Sequence, residues 1–248
     1  MEGTKHKLAA LAAFILLLFS FQIKASFKSE IYYAYTNNRM DLWKNVIERM
    51  EVIPDKSDEL LLELVNYQYG FIGYCIGLDK KDDAKKHLDM VARNLKILEK
   101  HKYNLSVIKA YKSAFYGFRI GLHPISAPVN GLKSLDYAKR ALKLDPGNYL
   151  AYVQYGNIQF YMPSVFGGSK KEALEYYLKA RDILEKDPDF VSENWNYISL
   201  LLAIGQTYTH LKDHSSAKRV YEEILKFEPG FLYVKDDLYP NLLKTMEN

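Results

Sequence analysis

From about residue 107 to residue 184 the chain matches its own sequence at an offset of 39. Tyr116 maps onto Tyr155, Gly117 onto Gly156, Pro124 onto Pro163, Leu135 onto Leu174, Tyr137 onto Tyr176 and Ala141 onto Ala180. A fixed period of this size is the signature of a solenoid, in which no repeat can bury its apolar face alone and each stacks on its neighbours. Such an architecture presents a long helix-lined surface, so binding is expected of it before catalysis.

The flanking sequence reads as helix after helix, with Pro and Gly at the joins and no strand alternation. A first pair is expected within Glu30–Met50, broken near Thr36-Asn37-Asn38 and closed by Pro54, which lacks the amide a helix interior needs. Further helices are expected from Ser57 to about Leu78, Asp82 to His101, Asn104 to Leu122, Leu132 to Leu144, Asn148 to Tyr161, Ser169 to Lys186, Trp195 to Leu211 and Ser216 to Phe227. Ser169 followed by Glu172 fits a capping box, and Ser192 reads as the residue that opens the Trp195 helix. The tail, with Tyr239-Pro240 and Leu242-Leu243, is expected to form a short helix covering the last apolar face. The predicted fold is therefore all-α, a solenoid of about five antiparallel helix pairs plus a C-terminal capping helix.

Small residues recur where paired helices would cross. Gly205, Tyr208, Ala217, Tyr221 and Pro229 mark the last pair, Gly156, Ala173, Tyr177 and Ala180 the one before, and Gly117, Ser134, Ala138 and Ala141 the one before that. In this pattern the chain resembles the tetratricopeptide-repeat superfamily, which alternates two antiparallel helices with small residues at the crossing and a Pro after the second. Ile224 stands where that family usually has Ala, and Gly70 and Gly73 do not align cleanly. The spacing from Gly117 to Ser134 and from Gly156 to Ala173 is 17, against about 12 in the family. Two successive repeats thus carry inserts, His123–Pro128 and Met162–Gly168. The second, with Pro163 and then Phe166-Gly167-Gly168-Ser169, is similar to a subgroup that includes the periplasmic T component of TRAP-type transporters and a eukaryotic group of microtubule-dynamics regulators. That resemblance implies a helical scaffold for a small apolar ligand or a partner solute-binding protein.

The first 25 residues read as a secretory signal. Lys5, His6 and Lys7 precede an apolar run from Leu8 to Phe21 broken only by Ser20, and Ala25 suits cleavage. The run is shorter than the roughly 20 residues that span a bilayer. The expected domains are a signal peptide over 1–25 and an α-solenoid over 26–248, with export to the periplasm or cell envelope. An uncleaved anchor is the alternative, and membrane contact is expected only through this segment. Removing it takes away Lys5, Lys7, Lys24 and Glu2, which lowers the formal charge from +4 to +2. Basic and acidic residues are interleaved without a basic run, a poor footprint for nucleic acid. The single Cys75 cannot form an internal disulfide.

No motif for chemistry emerges. His210 and His214 straddle a turn, and no Cys/His set has zinc spacing. Gly167-Gly168-Ser169-Lys170 lacks the strand and full pattern of a phosphate loop. No cofactor, metal or catalytic residue is expected. Binding is expected on the first helix of each pair. Helical spacing from Gly117, Gly156 and Gly205 selects Tyr111 and Phe118, Asn157 and Phe160, and Gln206 and Thr209 as its exposed side, with Phe166 on the insert as a further candidate. The 21 Tyr allow two uses, packing between helices or lining a groove. The sequence reading is an exported, non-catalytic binding or scaffold protein for a protein, peptide or small ligand. A transport accessory carrying a small apolar ligand and a hydrolase with its site in the inserts are the alternatives.

Overall fold

A computed structural model describes residues 27–247; the expected signal segment lies outside the described residues. Among the described residues there is no strand. The helices are α1 (27–36), α2 (Met40–Glu51), α3 (Asp58–Gly77), α4 (Lys81–Lys100), α5 (Leu105–Leu122), α6 (Ala127–Leu144), α7 (Tyr149–Tyr161), α8 (Lys170–Leu184), the single turn α9 (Pro188–Val191), α10 (Trp195–His210), α11 (His214–Phe227) and α12 (Tyr239–Glu247). The tightest partners are α3 with α4, α5 with α6, α7 with α8 and α10 with α11, each a sequence-adjacent antiparallel pair. No helix among the described residues is long and apolar enough to cross a membrane.

Local chemistry explains the boundaries. Asn38 in the left-handed region (φ 53°) turns α1 into α2. The Ser57 hydroxyl accepts from the Leu60 amide at 3.2 Å and starts α3, and Asn148 does the same for α7 with Ala151 at 3.3 Å. Ser169 caps α8 through the Glu172 amide at 3.2 Å, but its own amide goes to the Gln159 carbonyl at 3.1 Å, which ties the second insert back to α7. Two helix starts differ from expectation in their capping. Asn194, not Ser192, caps α10, accepting from Asn196 at 2.9 Å. Asn104 adopts a left-handed backbone and makes no side-chain cap. The first insert is not a loop throughout: Pro124–Ser126 forms a 3₁₀ turn, and α6 begins at Ala127, with Pro in its first turn where no amide is needed.

Glycine at the crossings divides into two kinds. A Cβ on Gly156 would lie 2.3 Å from the Tyr177 ring, and one on Gly205 would lie 2.4 Å from the Tyr221 ring. These rings seat directly on helix backbone. Gly117 has no neighbour within 4 Å of such a Cβ, because its repeat partner of Tyr177 is Ala138. Close crossing therefore requires glycine in the later pairs and not in this one. Gly70, which fits no repeat position, accepts the Trp43 and Trp195 rings, which would stand 2.5 and 2.8 Å from a Cβ placed there.

That Trp pair brings α2 against α10. Trp195 at the start of α10 meets Trp43 of α2 edge-on at 4.9 Å, and Tyr35 of α1 lies 5.9 Å from both rings and 5.3 Å from Phe231. The Trp43 indole donates to the Tyr67 carbonyl at 2.9 Å. The first and last pairs are thus joined by aromatic rings far apart in sequence, around an inner face formed by α3, α5, α7 and α10. A buried hydroxyl–amide chain joins the middle pairs: Asn148 donates to Ser106 Oγ at 2.7 Å, and Ser106 donates to the Ala141 carbonyl at 2.9 Å. The tail covers the end as expected, with Phe231, Val234 and Leu242 buried against α11.

Candidate functional site: the inner aromatic face

The inner face is organised around Tyr69 of α3. Phe118 of α5 stacks on its ring at 5.5 Å and 25°. Trp195 lies 6.1 Å away. A polar relay reaches the same phenol: Tyr177 donates to Asn157 Oδ1 at 2.7 Å, Asn157 donates to Gln154 Oε1 at 3.4 Å, and Gln154 donates to the Tyr69 oxygen at 3.4 Å. Between these groups lies a cleft of about 70 Å³ lined by Tyr69, Tyr149, Asn157, Trp195 and Ser199. The Trp195 indole N–H is buried and has no acceptor. A buried donor without an acceptor carries a desolvation cost that a ligand oxygen would relieve.

The phenols around the cleft share an electrostatic condition. Burial pushes Tyr69 up, against the opposing hydrogen bonds from Gln154 and Asn157. Burial, then the neighbouring Tyr69, raises Tyr149. Tyr35 is pushed up to about 12 by burial, partly offset by a hydrogen bond with Ser199. Tyr161 is 78% exposed, yet desolvation and then Tyr233 raise it. Tyr233, 43% exposed, is raised by desolvation and by Asp237, with Gln206 opposing through a hydrogen bond. All these phenols stay neutral at ordinary pH. They offer flat apolar faces and a hydroxyl, and none can serve as a base.

The seven residues selected from sequence separate into three groups. Phe118 and Asn157 meet at Tyr69, and Gln206 is within hydrogen-bond reach of Tyr233. Phe160 lies at a second place on α7, edge-on to Tyr161 at 5.0 Å and to His210 at 5.1 Å, with the Lys170 ammonium 3.8 Å over its ring. Of the other three, Tyr111 departs from the expected exposed side, whereas Thr209 is half-buried and Phe166 is exposed. Tyr111 is core, only 3% exposed and stacked on Phe115 at 6.1 Å, because the side of α5 facing α3 and α7 is packed and not open. Thr209 returns its hydroxyl to the Gly205 carbonyl at 3.1 Å. Phe166 is 75% exposed on a 3₁₀ turn and fills no gap between helices. Gly168 explains why: a Cβ there would lie 1.8 Å from the Met162 carbonyl oxygen, so the backbone closes the insert on itself without the ring.

Sequence spacing missed Tyr69, Tyr149, Tyr161, Trp195 and Tyr233. Tyr69 belongs to a helix whose repeat register is degenerate, Trp195 stands at the first position of α10, ten residues before its crossing glycine Gly205, and Tyr233 immediately precedes the π-helical turn Val234–Leu238, beyond the last pair. Among the described residues no group of three or more His, Cys, Asp or Glu is placed to hold a metal ion.

Comparison with known proteins gives a likeness of fold. No protein-family profile matches the chain, and no curated protein matches it by sequence. Among solved structures, the chain is similar to the HusA haemophore from Porphyromonas gingivalis, with 18% sequence identity and a TM-score of 0.57 over 75% of this chain and 93% of that one. At that identity the likeness concerns the helical architecture.

Proposed function

We propose that this chain is an exported, non-catalytic binding protein that holds a small, planar and largely apolar ligand on its inner aromatic face. The observation that carries the reading is the aromatic cleft itself, lined by Tyr69, Tyr149 and Trp195, with Phe118 stacked on Tyr69 and the buried Trp195 N–H lacking an acceptor. Rings of this kind bind by stacking and by donating one hydrogen bond, and the amides of Gln154, Asn157 and Gln206 supply orientation. The cleft of about 70 Å³ is smaller than the roughly 300–1,000 Å³ of sites that enclose a ligand. It suits the edge of a ligand whose remaining surface lies across Tyr161 and Tyr233. The approach of α10 to α3 favours a small ligand over an extended peptide, which needs an open groove. The tetratricopeptide-like helix pairs and the secretory character of residues 1–25 support a binding role outside the cytoplasm. The inserts present Ile125, Val165 and Phe166 to solvent, apolar surface that favours contact over hydrolysis.

A second reading has its own observation. Tyr161 and His210, both exposed, flank Phe160, and phenol and imidazole are both known axial ligands of haem iron. Haem is therefore the first planar ligand to titrate, in keeping with a fold shared with a protein named a haemophore. The test is quenching of Trp195 emission by haem and by iron-free porphyrin, with the Soret band followed in parallel. Quenching by both, weakened in Asn157→Ala, supports the inner-face reading. A Soret shift lost in Tyr161→Phe or His210→Ala supports iron ligation. Unchanged emission with every planar ligand tried would count against both.

A further inference from the structure

The internal repeat contains its own control. Tyr116 stacks on Tyr137 at 5.4 Å and 13°, joining α5 to α6, and the residues 39 positions later, Tyr155 and Tyr176, stack at 5.0 Å and 23°, joining α7 to α8. The stacked pair is thus a structural element of each repeat. Only the first is wrapped in cations. Lys109, Lys112 and Arg140 each lie 5.7 Å from the Tyr137 ring centre, and Arg119 and Lys133 lie 5.1 and 5.4 Å from that of Tyr116. At the equivalent positions the second repeat has Asn148, Ala151, Lys179, Ile158 and Glu172. Stacking alone does not require the cations, because the second pair stacks without them.

Their charge is only partly answered. Glu99 takes both Lys109 and Lys112 at 2.5 Å, and Asp136 takes Arg140 at 2.8 Å. Arg119 and Lys133, both exposed, have no carboxylate partner among the described residues. Residues 105–144 hold seven Lys and Arg against Asp136 alone, in a chain whose total is +4. Helical spacing scatters these residues along the sequence, so the concentration appears only in three dimensions. Beside the pair lies a cleft of about 130 Å³, with an apolar floor of Leu88, Val91 and Leu95 from α4 and a rim that includes Tyr116, Tyr137 and Arg119. A void of roughly 150 Å³ lined by such side chains holds benzene.

We propose that this cleft, on the flank of α5 away from Tyr69, is a second binding site, for a small amphipathic anion. A ring-sized or short aliphatic group would enter the floor, and its carboxylate or phosphate would meet the Arg119 guanidinium and the Lys133 ammonium. Arg119 supplies a planar fork for two oxygens, and Lys133 supplies a point charge. Phe115 lines this cleft and also packs against Tyr69 at 6.5 Å and Phe118 at 5.9 Å, so the two sites lie on opposite sides of one shared ring.

Phenyl phosphate is the probe, with inorganic phosphate and benzyl alcohol as its two halves, and the readout is the methyl NMR signals of Leu88, Val91 and Leu95 together with calorimetry. Phenyl phosphate should shift these signals saturably, and its affinity should fall as salt rises. Arg119→Gln with Lys133→Gln should weaken it about tenfold or more. Ala92→Phe, on the exposed edge of the cleft, should abolish it by filling the space while thermal unfolding stays unchanged. Neither half alone should saturate in the same concentration range. Unmoved methyl signals, wild-type affinity in the double variant, equal binding of inorganic phosphate, or response only to an acidic peptide would each overturn the proposal.

Discussion

Replacing glycine by alanine at the three crossings should give effects of opposite sign. In a helix interior alanine is favoured over glycine by about 0.8–1.0 kcal/mol when the methyl group finds room. At Gly117 nothing lies within 4 Å of the new Cβ, so Gly117→Ala should stabilise the protein by about 1 kcal/mol. At Gly156 the same methyl would stand 2.3, 2.5 and 2.9 Å from three carbons of the Tyr177 ring. That ring is 2% exposed and anchored by its hydrogen bond to Asn157, so it cannot swing away freely. Overpacking of this kind costs about 1–3 kcal/mol, and distances this short place Gly156→Ala at the upper end. After the helix gain, the net loss should be about 2 kcal/mol, and Gly205→Ala should behave alike against Tyr221. In a chain of this size 1 kcal/mol moves the midpoint by about 2–4 °C. The decisive assay is a double-mutant cycle by urea unfolding. In a Tyr177→Ala background, which recreates the Gly117–Ala138 arrangement, Gly156→Ala should turn from destabilising to stabilising. The coupling should be about 3 kcal/mol. If Gly117→Ala and Gly156→Ala shift stability in the same direction by similar amounts, or the coupling is near zero, the packing argument is wrong.

Three further outcomes are expected. His87 is buried against Phe71 at 4.8 Å, has both ring nitrogens unpartnered, and is pushed down to about 4 by burial, then by Lys86. Its native form is neutral, so the unfolded chain takes up the proton first. Stability should fall as pH drops from about 6.5 to about 4, by about 3 kcal/mol in all; urea unfolding of His87→Leu across that window should lose most of this slope, and an identical slope would exonerate His87. Asn148→Ala removes both the α7 cap and the donor to buried Ser106, and should cost about 2 kcal/mol by the same assay. Intact-mass measurement of the protein purified from its native source should find a chain beginning near Ser26, and a mass that retains residues 1–25 would contradict the signal-peptide reading.

The helices were legible because their signals are local. Pro, Gly and capping residues such as Ser57, Asn148 and Ser169 act within one turn, and the period of 39 reports pairing directly. The inner face was legible in part. Asn157, Phe118 and Gln206 follow from helical spacing off a crossing glycine. Trp195 does not, because its place is set by Trp43 and Gly70, residues more than a hundred positions away that belong to no repeat register. Tyr111 shows the converse limit: spacing gives the side of α5 it occupies, but whether that side is open depends on how far α3 and α7 close over it. The basic flank at Tyr116 and Tyr137 escaped for a related reason, since a patch assembled at every third or fourth residue on two helices leaves no run in the sequence.

The central claim is that the inner aromatic face carries a small molecule. Native mass spectrometry of the wild-type chain, isolated from cell-envelope extract, tests it directly. The account predicts one non-covalent adduct of small-molecule mass, absent from Asn157→Ala and Tyr161→Ala variants prepared in the same way and shown by circular dichroism to be folded. A bare chain in the wild type, or an adduct that both variants keep, would contradict it.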